Sequence, residues 1–525
     1  MKKGSKLRIV ILLFLFVSVF YPLVTMLINV KWDTFKDLLD SPAFKSSLSN
    51  SLIVTSIATI LSVLIAYILA YTINRTNIKH KAILKVLITL PMLIPSISHG
   101  LGLINLFGTN GIISSFFGFS IVGSVGIVIG SIIYSFPVAF LMLDDGFNYI
   151  DTTMYDSAKI FGMNKWQTFK KVTFCYLKKP IFSCLFAVFT LIFTDYGVPL
   201  AVGGKFTTLP VFLYKQVIGL LDFSKGTMIG LFLLIPAIIS FIFDNISKDY
   251  SFGEFSNKLK IESNKIRDIL LKIFVYFIII FIVVIIGSFI YYAFIDNPTL
   301  NPSFSFKHIE YILNDKLLDC LFNSLIIAIF VSIFGTLIAY FAAYLTARVK
   351  GKTSRLAHII TISSLAVPGV VLGLSYTICF RGSFIYNTYI ILIIVNIVHF
   401  IASPYLMAYN ALQKVNPNYE IVAKTCHIST FRIIKDVIVP CTKKTIREMF
   451  AYFFVNSMIT ISAVAFLYST STMPLSLLIN IYEEDNLLGE AALISLIILF
   501  FNIVVKLGVY LINRRELGRV KKAWI

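Results

Sequence analysis

Residues 320–347 read CLFNSLIIAIFVSIFGTLIAYFAAYLTA, a stretch without one ionised side chain. At 1.5 Å per residue a helix of about 28 residues is about 42 Å long, more than the roughly 30 Å hydrocarbon core of a bilayer. No water reaches that core, so backbone N–H and C=O groups must pair within the segment, and the run is expected to be a membrane-crossing helix. The runs 9–30, 46–74 and 273–295 are equally free of charge. The run 86–143 is uncharged and long enough for two spans, with the Gly/Asn/Ser-rich stretch 108–120 as the turn between them. Runs at 356–380 and 382–413 form another pair, and weaker runs at 180–200, 226–243, 449–469 and 491–512 bring the expectation to twelve spans.

The composition agrees with this reading. Of 525 residues, 58% are hydrophobic and only 14% are charged, where a soluble domain has about 25%. Twelve spans of about 22 residues leave too little chain for a separate soluble domain of ordinary size. The expected class is an all-α integral membrane protein.

The formal net charge of +20 would suit a nucleic-acid surface if it were clustered on one face. It is not clustered. With the N-terminus in the cytoplasm and the spans alternating, 36 of the 46 Lys and Arg fall in inner segments and 9 in outer loops. Lys506 lies inside the last span near its inner end. The positive-inside rule then puts both termini in the cytoplasm, and the basic excess records topology rather than nucleic-acid binding. Lys2, Lys3 and Lys6 ahead of an apolar run resemble a signal peptide, but the run exceeds a signal's apolar core and lacks a small-x-small cleavage site, so it is read as the first span. The six cysteines show no CxxC spacing and are expected to be free thiols.

The quoted stretch also holds a repeat. Asn323-Ser324-Leu325 matches Asn50-Ser51-Leu52 at an offset of 273, and the same offset maps Pro95 onto Pro368, Gly100 onto Gly373 and Leu101 onto Leu374. Further along the offset becomes 265: Ala158-Lys159 falls on Ala423-Lys424, and Lys170, Val172, Lys178, Lys179 and Ile181 fall on Lys435, Val437, Lys443, Lys444 and Ile446. The chain therefore reads as two six-span units, 1–247 and 269–525, joined by a polar cytoplasmic linker at 248–268. Six spans per unit make the repeat parallel, with a pathway expected between the halves.

The longest inner loops lie at matched places, after the fourth and tenth spans. They read Asp156-Ser157-Ala158-Lys159-Ile160-Phe161-Gly162 and Glu420-Ile421-Val422-Ala423-Lys424-Thr425-Cys426-His427, continuing to Val172-x-Phe174-Cys175 and Val437-x-Val439-Pro440. This pattern resembles the Glu-Ala-Ala signature of type I ABC importer permeases, and the resemblance covers both halves. It implies two tandem six-helix permease units. It also implies that Asp156, Ala158 and Gly162, with Glu420, Ala423 and His427, couple the chain to ATPase subunits docked at 156–164 and 420–429. Departures are present: Asp156 replaces Glu, Cys175 replaces the final Pro, Glu420 stands one residue early, and His427 occupies the Gly position. Gly351-Lys352-Thr353 ends like a phosphate-binding loop, but position 346 is Thr where that motif needs Gly. No catalytic motif is found, so the chain is read as no enzyme.

One acid lies within a span. Asp195, in Thr194-Asp195-Tyr196-Gly197-Val198-Pro199, is placed by the sequence toward the outer end of the fifth span, where an ionisable residue defaults to a functional hypothesis; a helix cap at the Gly/Pro kink is the structural alternative. Gly203-Gly204-Lys205 follows. The other half offers Thr460-Ile461-Ser462-Ala463-Val464 and then Tyr468. These stretches resemble the permeases for ferric iron, thiamine and 2-aminoethylphosphonate, the Thr-Asp-aromatic-Gly-Val-Pro run resembling the last most. The resemblance implies a pathway lined by Asp195, Tyr196, Pro199, Lys205, Thr460, Ser462 and Tyr468. Asp195 would face an ammonium group and Lys205 a phosphonate. It implies no cofactor bound by this chain, ATP and Mg being used by two copies of a partner ATPase at the cytoplasmic face. An extracytoplasmic solute-binding protein and the lipid bilayer are the other expected partners, with no nucleic acid, and the location is a bacterial cytoplasmic (inner) membrane. An ion-gradient-driven secondary transporter with twelve spans is the alternative. His99 in the third span reads as a packed histidine, and Gly126 and Gly130 as a helix-packing pair.

Overall fold

The structure, a computed structural model, describes residues 11–523 except 12, 110, 115–117, 149–151, 248–263, 297, 299–301 and 350. Lys2, Lys3, Lys6 and most of the linker at 248–268 lie outside the described residues; 265–268 are the first turn of a helix. In the first half the helices are α1 (Tyr21–Ile28), α2 (Trp32–Asp40), α3 (Pro42–Arg75), α4 (Lys81–Thr89), α5 (Ser96–Phe107), α6 (Ser124–Asn148), α7 (Thr152–Ile160), α8 (Phe174–Phe193), α9 (Gly197–Val202), α10 (Leu209–Tyr214) and α11 (Phe223–Ser247). The second half carries α12 (Lys265–Phe294), α13 (Lys307–Asn314), α14 (Leu317–Arg348), α15 (Lys352–Ser363), α16 (Gly369–Phe380), α17 (Tyr389–Phe400), α18 (Ala402–Lys414), α19 (Asn418–Thr425), α20 (Val439–Ile459), α21 (Leu475–Glu484) and α22 (Leu488–Ala523). A two-stranded ribbon pairs Ile295 with Phe304 and Asp296 with Ser303 ahead of α13.

Among the described residues, seven helices are long and apolar enough to cross a membrane alone and four bent pairs do so together. Helix α20, whose first half carries Lys443, Lys444, Arg447 and Glu448, occupies the place expected for the eleventh span. The quoted stretch lies within α14, which is continuous because it holds neither Pro nor charge between Cys320 and Ala347.

Two of the bent spans have a sequence cause. The third bends by 98° and the ninth by 108°. Each bend falls at an X-Pro pair: Ile94 ahead of Pro95 is extended at φ −119°, ψ 152°, and Val367 ahead of Pro368 at φ −108°, ψ 110°. The pyrrolidine ring excludes the helical region for the residue before it, so the first helix stops and Pro95 or Pro368 opens the next.

Two boundaries differ from the sequence reading. The fifth span, expected at 180–200, ends as a helix at Phe193, and the eleventh, expected at 449–469, ends at Ile459. Apolar residues continue past both ends, which misled the hydropathy reading, but there the chain breaks into short turns and helices buried inside the protein. Backbone of that kind is tolerated at membrane depth only where protein covers it. Asp195 therefore lies between helices rather than within one.

The two halves share one interior. The larger apolar core runs through both halves. Each half also lends its first span to the other. Val275, Ile278, Ile279 and Ile282 of α12 join an apolar cluster otherwise built from the first half. Reciprocally, α1 packs on α16 of the second half, with the Tyr376 hydroxyl donating to Ser18 O at 2.6 Å. Deeper inside, Ser98 and Ser495 pair through their hydroxyls at 2.8 Å, and Asn502 donates to Leu93 O at 2.8 Å.

Candidate functional site

The Asn-Ser pair that revealed the repeat does the same work twice. Ser51 accepts from the N–H of Leu209 at 2.7 Å, and Ser324 accepts from the N–H of Leu475 at 2.6 Å. Asn50 donates to Thr207 O at 3.1 Å, and Asn323 donates to Ser471 O at 3.0 Å and Met473 O at 3.1 Å. Each pair satisfies orphan backbone groups at the start of a short helix, α10 or α21, and so fixes the irregular segment before it to the second or eighth span.

The two loops on the basic side of the molecule match residue for residue at the offset of 265. Helices α7 and α19 end at Ile160 and Thr425, short helices follow at Lys165–Thr168 and Thr430–Ile433, and π-helical turns at Phe169–Thr173 and Ile434–Ile438 lead into α8 and α20. Gly162 and His427 both adopt the left-handed conformation, at φ 66° and 55°. The same bond closes both helix ends: Met163 N–H to Ala158 O at 3.0 Å and Ile428 N–H to Ala423 O at 2.8 Å, the six-to-one closure of a Schellman cap. His427 thus performs the Gly role despite its side chain, as His is among the residues enriched at positive φ. Asn164 and Gln167 then form a reciprocal capping box at 2.8 and 3.0 Å, while Ser429 caps Arg432 N–H at 3.3 Å.

Burial on these helices is one-sided. Ala158 and Ala423 are 2% and 5% exposed, whereas Trp166 and Phe431, again 265 apart, are 70% and 74% exposed. Ile160, Phe161, Ile421 and Val422 are exposed beside them. The small Ala lets the helix sit close against the rest of the chain, and large apolar groups face outward where such groups mark interaction surfaces. Asp156 is exposed. Glu420 is not free: its carboxylate accepts Arg348 Nε at 2.7 Å and Nη2 at 2.8 Å. The residue matched to Glu420 is Tyr155, and Arg75, matched to Arg348, lies over the Tyr155 ring at 4.9 Å and donates to its hydroxyl at 3.2 Å. The sequence reading missed both arginines. The offset of 273 maps Arg75 onto Arg348 and would have found them.

On the opposite side, Asp195 caps the turn into α9. Its carboxylate accepts Val198 N–H at 3.0 Å, together with Gly197 N–H and the Ser96 hydroxyl. Pro199 is buried in α9, and Lys205 is exposed in the turn after it. In the second half Thr460 is buried; its N–H donates to Asn456 O at 3.0 Å and its carbonyl accepts the Ser476 hydroxyl at 2.7 Å. Where the first half has Ser96 against Gly197, the second has Gly369 against Ser462. A Cβ on Gly197 would stand 2.3 Å from Ser96 Oγ, and one on Gly369 2.3 Å from Ser462 Oγ. The hydroxyl has changed sides between the halves and the contact has been kept. Gly100 and Gly373 likewise admit close approach, of Ala201 and of Ala463. Gly126 and Gly130 pack on Val202 and Val198, and His99 is buried beside Tyr134 at 5.9 Å between ring centres.

Tyr196 is 1% exposed and its ring stacks on Tyr214 at 5.3 Å. Tyr214 reaches across the halves to Phe466 at 6.1 Å, and Tyr468 is half-buried two residues further along. The expected pathway residues thus divide: Tyr196 lies, through Tyr214, at the junction of the halves, while Asp195, Thr460 and Ser462 support the irregular segments around it.

Residues 62–251 and 335–517 each match the family described as binding-protein-dependent transport system inner membrane component. A putative ferric transport system permease protein, FbpB 1, of Haemophilus influenzae is 25% identical over 89% of this chain and 78% of its own length. The ferric transport system permease protein FbpB of Actinobacillus pleuropneumoniae is 25% identical over 96% of this chain and 78% of its own. The thiamine transport system permease protein ThiP of H. influenzae is 24% identical over 30% of each chain. The doubled family match, the repeated loops and the twelve spans agree: this chain belongs to the binding-protein-dependent inner membrane permeases, as a fused chain carrying two copies of the type I ABC importer unit.

Proposed function

We propose that this chain is the translocation subunit of an ATP-driven importer in a bacterial cytoplasmic membrane, with both termini in the cytoplasm and two copies of an ABC ATPase docked on 156–164 and 420–429. The observation that carries the reading is the matched pair Trp166 and Phe431, each on a rigidly capped surface loop and each about three-quarters exposed. An aromatic side chain held in water at two pseudo-equivalent positions is what two identical partners need for anchoring. On this reading ATP and Mg act in the partner subunits, this chain binds no cofactor and catalyses no reaction, and closure of the ATPases rocks the halves. An external binding protein delivers the solute to the opposite face. A gradient-driven transporter leaves the paired aromatics without a role.

For the substrate, the two ferric permease relatives cover most of this chain and support ferric iron over 2-aminoethylphosphonate. The phosphonate reading rests on the likeness of the Thr194–Pro199 run and would have Asp195 face an ammonium group, while that carboxylate accepts three hydrogen bonds from its own chain. The test is reconstitution with the cognate ATPase and binding protein. Uptake of radiolabelled ferric iron that requires ATP, and loss of ATPase co-purification in the Trp166→Ala/Phe431→Ala double variant, are expected. Uptake by the chain without an ATPase overturns the reading.

A further inference from the structure

The halves meet along two matched seams whose chemistry differs. Leu221 and Asn486, 265 apart, both take the left-handed conformation, and the last spans begin two residues later, α11 at Phe223 and α22 at Leu488. The offset of 265 therefore holds along α11 and α22, as 273 holds along α5 and α16. In one seam α22 packs on α5 and on the 3-10 turn Leu90–Leu93 before it; in the other α11 packs on α16 and on the 3-10 turn Ser364–Ala366 before it.

The contacts correspond pair for pair. Ser495 donates to Ala491 O at 3.0 Å, which leaves its oxygen to accept the Ser98 hydroxyl at 2.8 Å. The counterparts of Ser98 and Ser495 are Val371 and Gly230, which can form no such bond; a Cβ on Gly230 would stand 3.7 Å from Val371 Cγ1. Asn502 donates to Leu93 O at 2.8 Å. The counterparts of Asn502 and Leu93 are buried Ala237 and Ala366, and Ala237 has no side-chain donor. The Leu93 bond has a local cause: the turn Leu90–Leu93 stops at the 98° bend, so its last carbonyls have no next turn to bind them. Asn502 is fully buried and its Oδ1 has no partner. An unpaired buried amide oxygen is unfavourable, so packing alone does not account for an Asn there. What the position gains is the bond across the halves.

No water reaches this depth to replace a lost partner. Parting the α5–α22 seam would strand the Ser98 hydroxyl, the Asn502 amide and the Leu93 carbonyl together, whereas Gly230 can slide along Val371 and exchange one apolar contact for another. We propose that the α5–α22 seam is the pivot of the importer and the α11–α16 seam the side that opens, with Ser98, Ser495 and Asn502 as positioning residues. This rests on the reading above that the halves rock when the ATPases close.

Paired cysteines test the motion. In a chain whose six native cysteines are replaced by Ser, the pairs Ser98→Cys/Ser495→Cys and Val371→Cys/Gly230→Cys are closed by mild oxidation, checked by loss of free thiols. With ATPase and binding protein, the bond between 98 and 495 should leave ATP-driven ferric iron uptake within twofold of the reduced protein. The bond between 230 and 371 should cut uptake at least tenfold, and a reductant should restore it. A 98–495 bond that arrests uptake, or a 230–371 bond that does not, overturns the pivot. A second measurement needs no partner and no new cysteine. In the purified wild-type chain, amide exchange should be at least tenfold slower in α5 than in α16, and Asn502→Ala should remove most of that difference; equal exchange in the wild type, or no change in the variant, also overturns the pivot. In the reconstituted importer, Asn502→Ala should hydrolyse ATP within twofold of wild type yet move several-fold less iron per ATP, a ratio that a merely stabilising contact would not alter. A reduced importer that moves no iron overturns the importer reading, and the exchange rates then decide the pivot by themselves.

Discussion

Arg348 grips Glu420 through both carboxylate oxygens, at 2.7 and 2.8 Å, and donates to the Val415 carbonyl at 2.7 Å. One guanidinium thus ties the end of a membrane span to the surface helix α19. The matched Arg75 holds α7 by the face and hydroxyl of Tyr155. The arginine side chain at 348 is 6% exposed and Glu420 20%, so the pair is largely desolvated. Removing one partner of such a pair costs about 3 kcal/mol, against about 1 kcal/mol for a partly exposed cation–π contact. Arg348→Gln is therefore expected to raise amide exchange in 418–428 strongly, Arg75→Gln to raise it mildly in 152–162, and transport per ATP hydrolysed to fall more in the first variant. Equal effects in both would refute the asymmetry.

The left-handed residue closing each surface helix makes a second prediction. Replacing His427 by Gly removes a strained Cβ, and α19 should become more stable by up to about 1 kcal/mol. Gly162→Val introduces a branched side chain at φ 66° and should destabilise α7 by about 2 kcal/mol. Amide exchange of the two loops measures both. A destabilised His427→Gly variant would show that the imidazole is needed for more than the turn.

The exchanged Ser and Gly predict compensation. Gly197→Ala places a Cβ against Ser96 Oγ and against Ile97 N at 2.8 Å, so the yield of folded protein should drop. Ser96→Gly combined with Gly197→Ser rebuilds the arrangement of the second half and should recover most of that yield, although Asp195 loses one donor. Thermal unfolding in detergent reports the order, and a double variant no better than Gly197→Ala alone would contradict it.

On the side opposite the paired loops, His308 Nδ1 lies 3.0 Å from Glu490 and Nε2 lies 3.3 Å from the Ile295 carbonyl. Both neighbours are acceptors, so the doubly protonated ring is favoured, and the Glu490 hydrogen bond raises the imidazole above its ordinary 6.5. A raised folded value means that this stabilisation is complete below the unfolded value near 6.5 and is lost as pH rises through the folded one. Amide exchange in 307–314 should therefore increase as pH climbs above 6.5, after correction for intrinsic rates. The pH dependence should vanish in His308→Gln.

The sequence alone determined the class, the number of spans and the doubling. Charge-free runs longer than a bilayer have one stable conformation there, and the offsets of 273 and 265 were legible because loop residues such as Ala158 and Ala423, or Pro95 and Pro368, are not dictated by hydropathy. The proline positions even located the two sharp bends. Hydropathy could not show where the fifth and eleventh helices stop, because irregular backbone buried in protein is as apolar as a span. The tertiary structure alone decided which polar groups meet. Ser96 came to Asp195, whose carboxylate also caps the Val198 amide. Arg348 engaged both carboxylate oxygens of Glu420. Ser98 and Ser495, from opposite halves, were brought into hydrogen-bond contact. Those pairings join residues that lie tens to hundreds of positions apart, and partners at such separations are chosen by packing between helices, which periodicity within one helix does not encode.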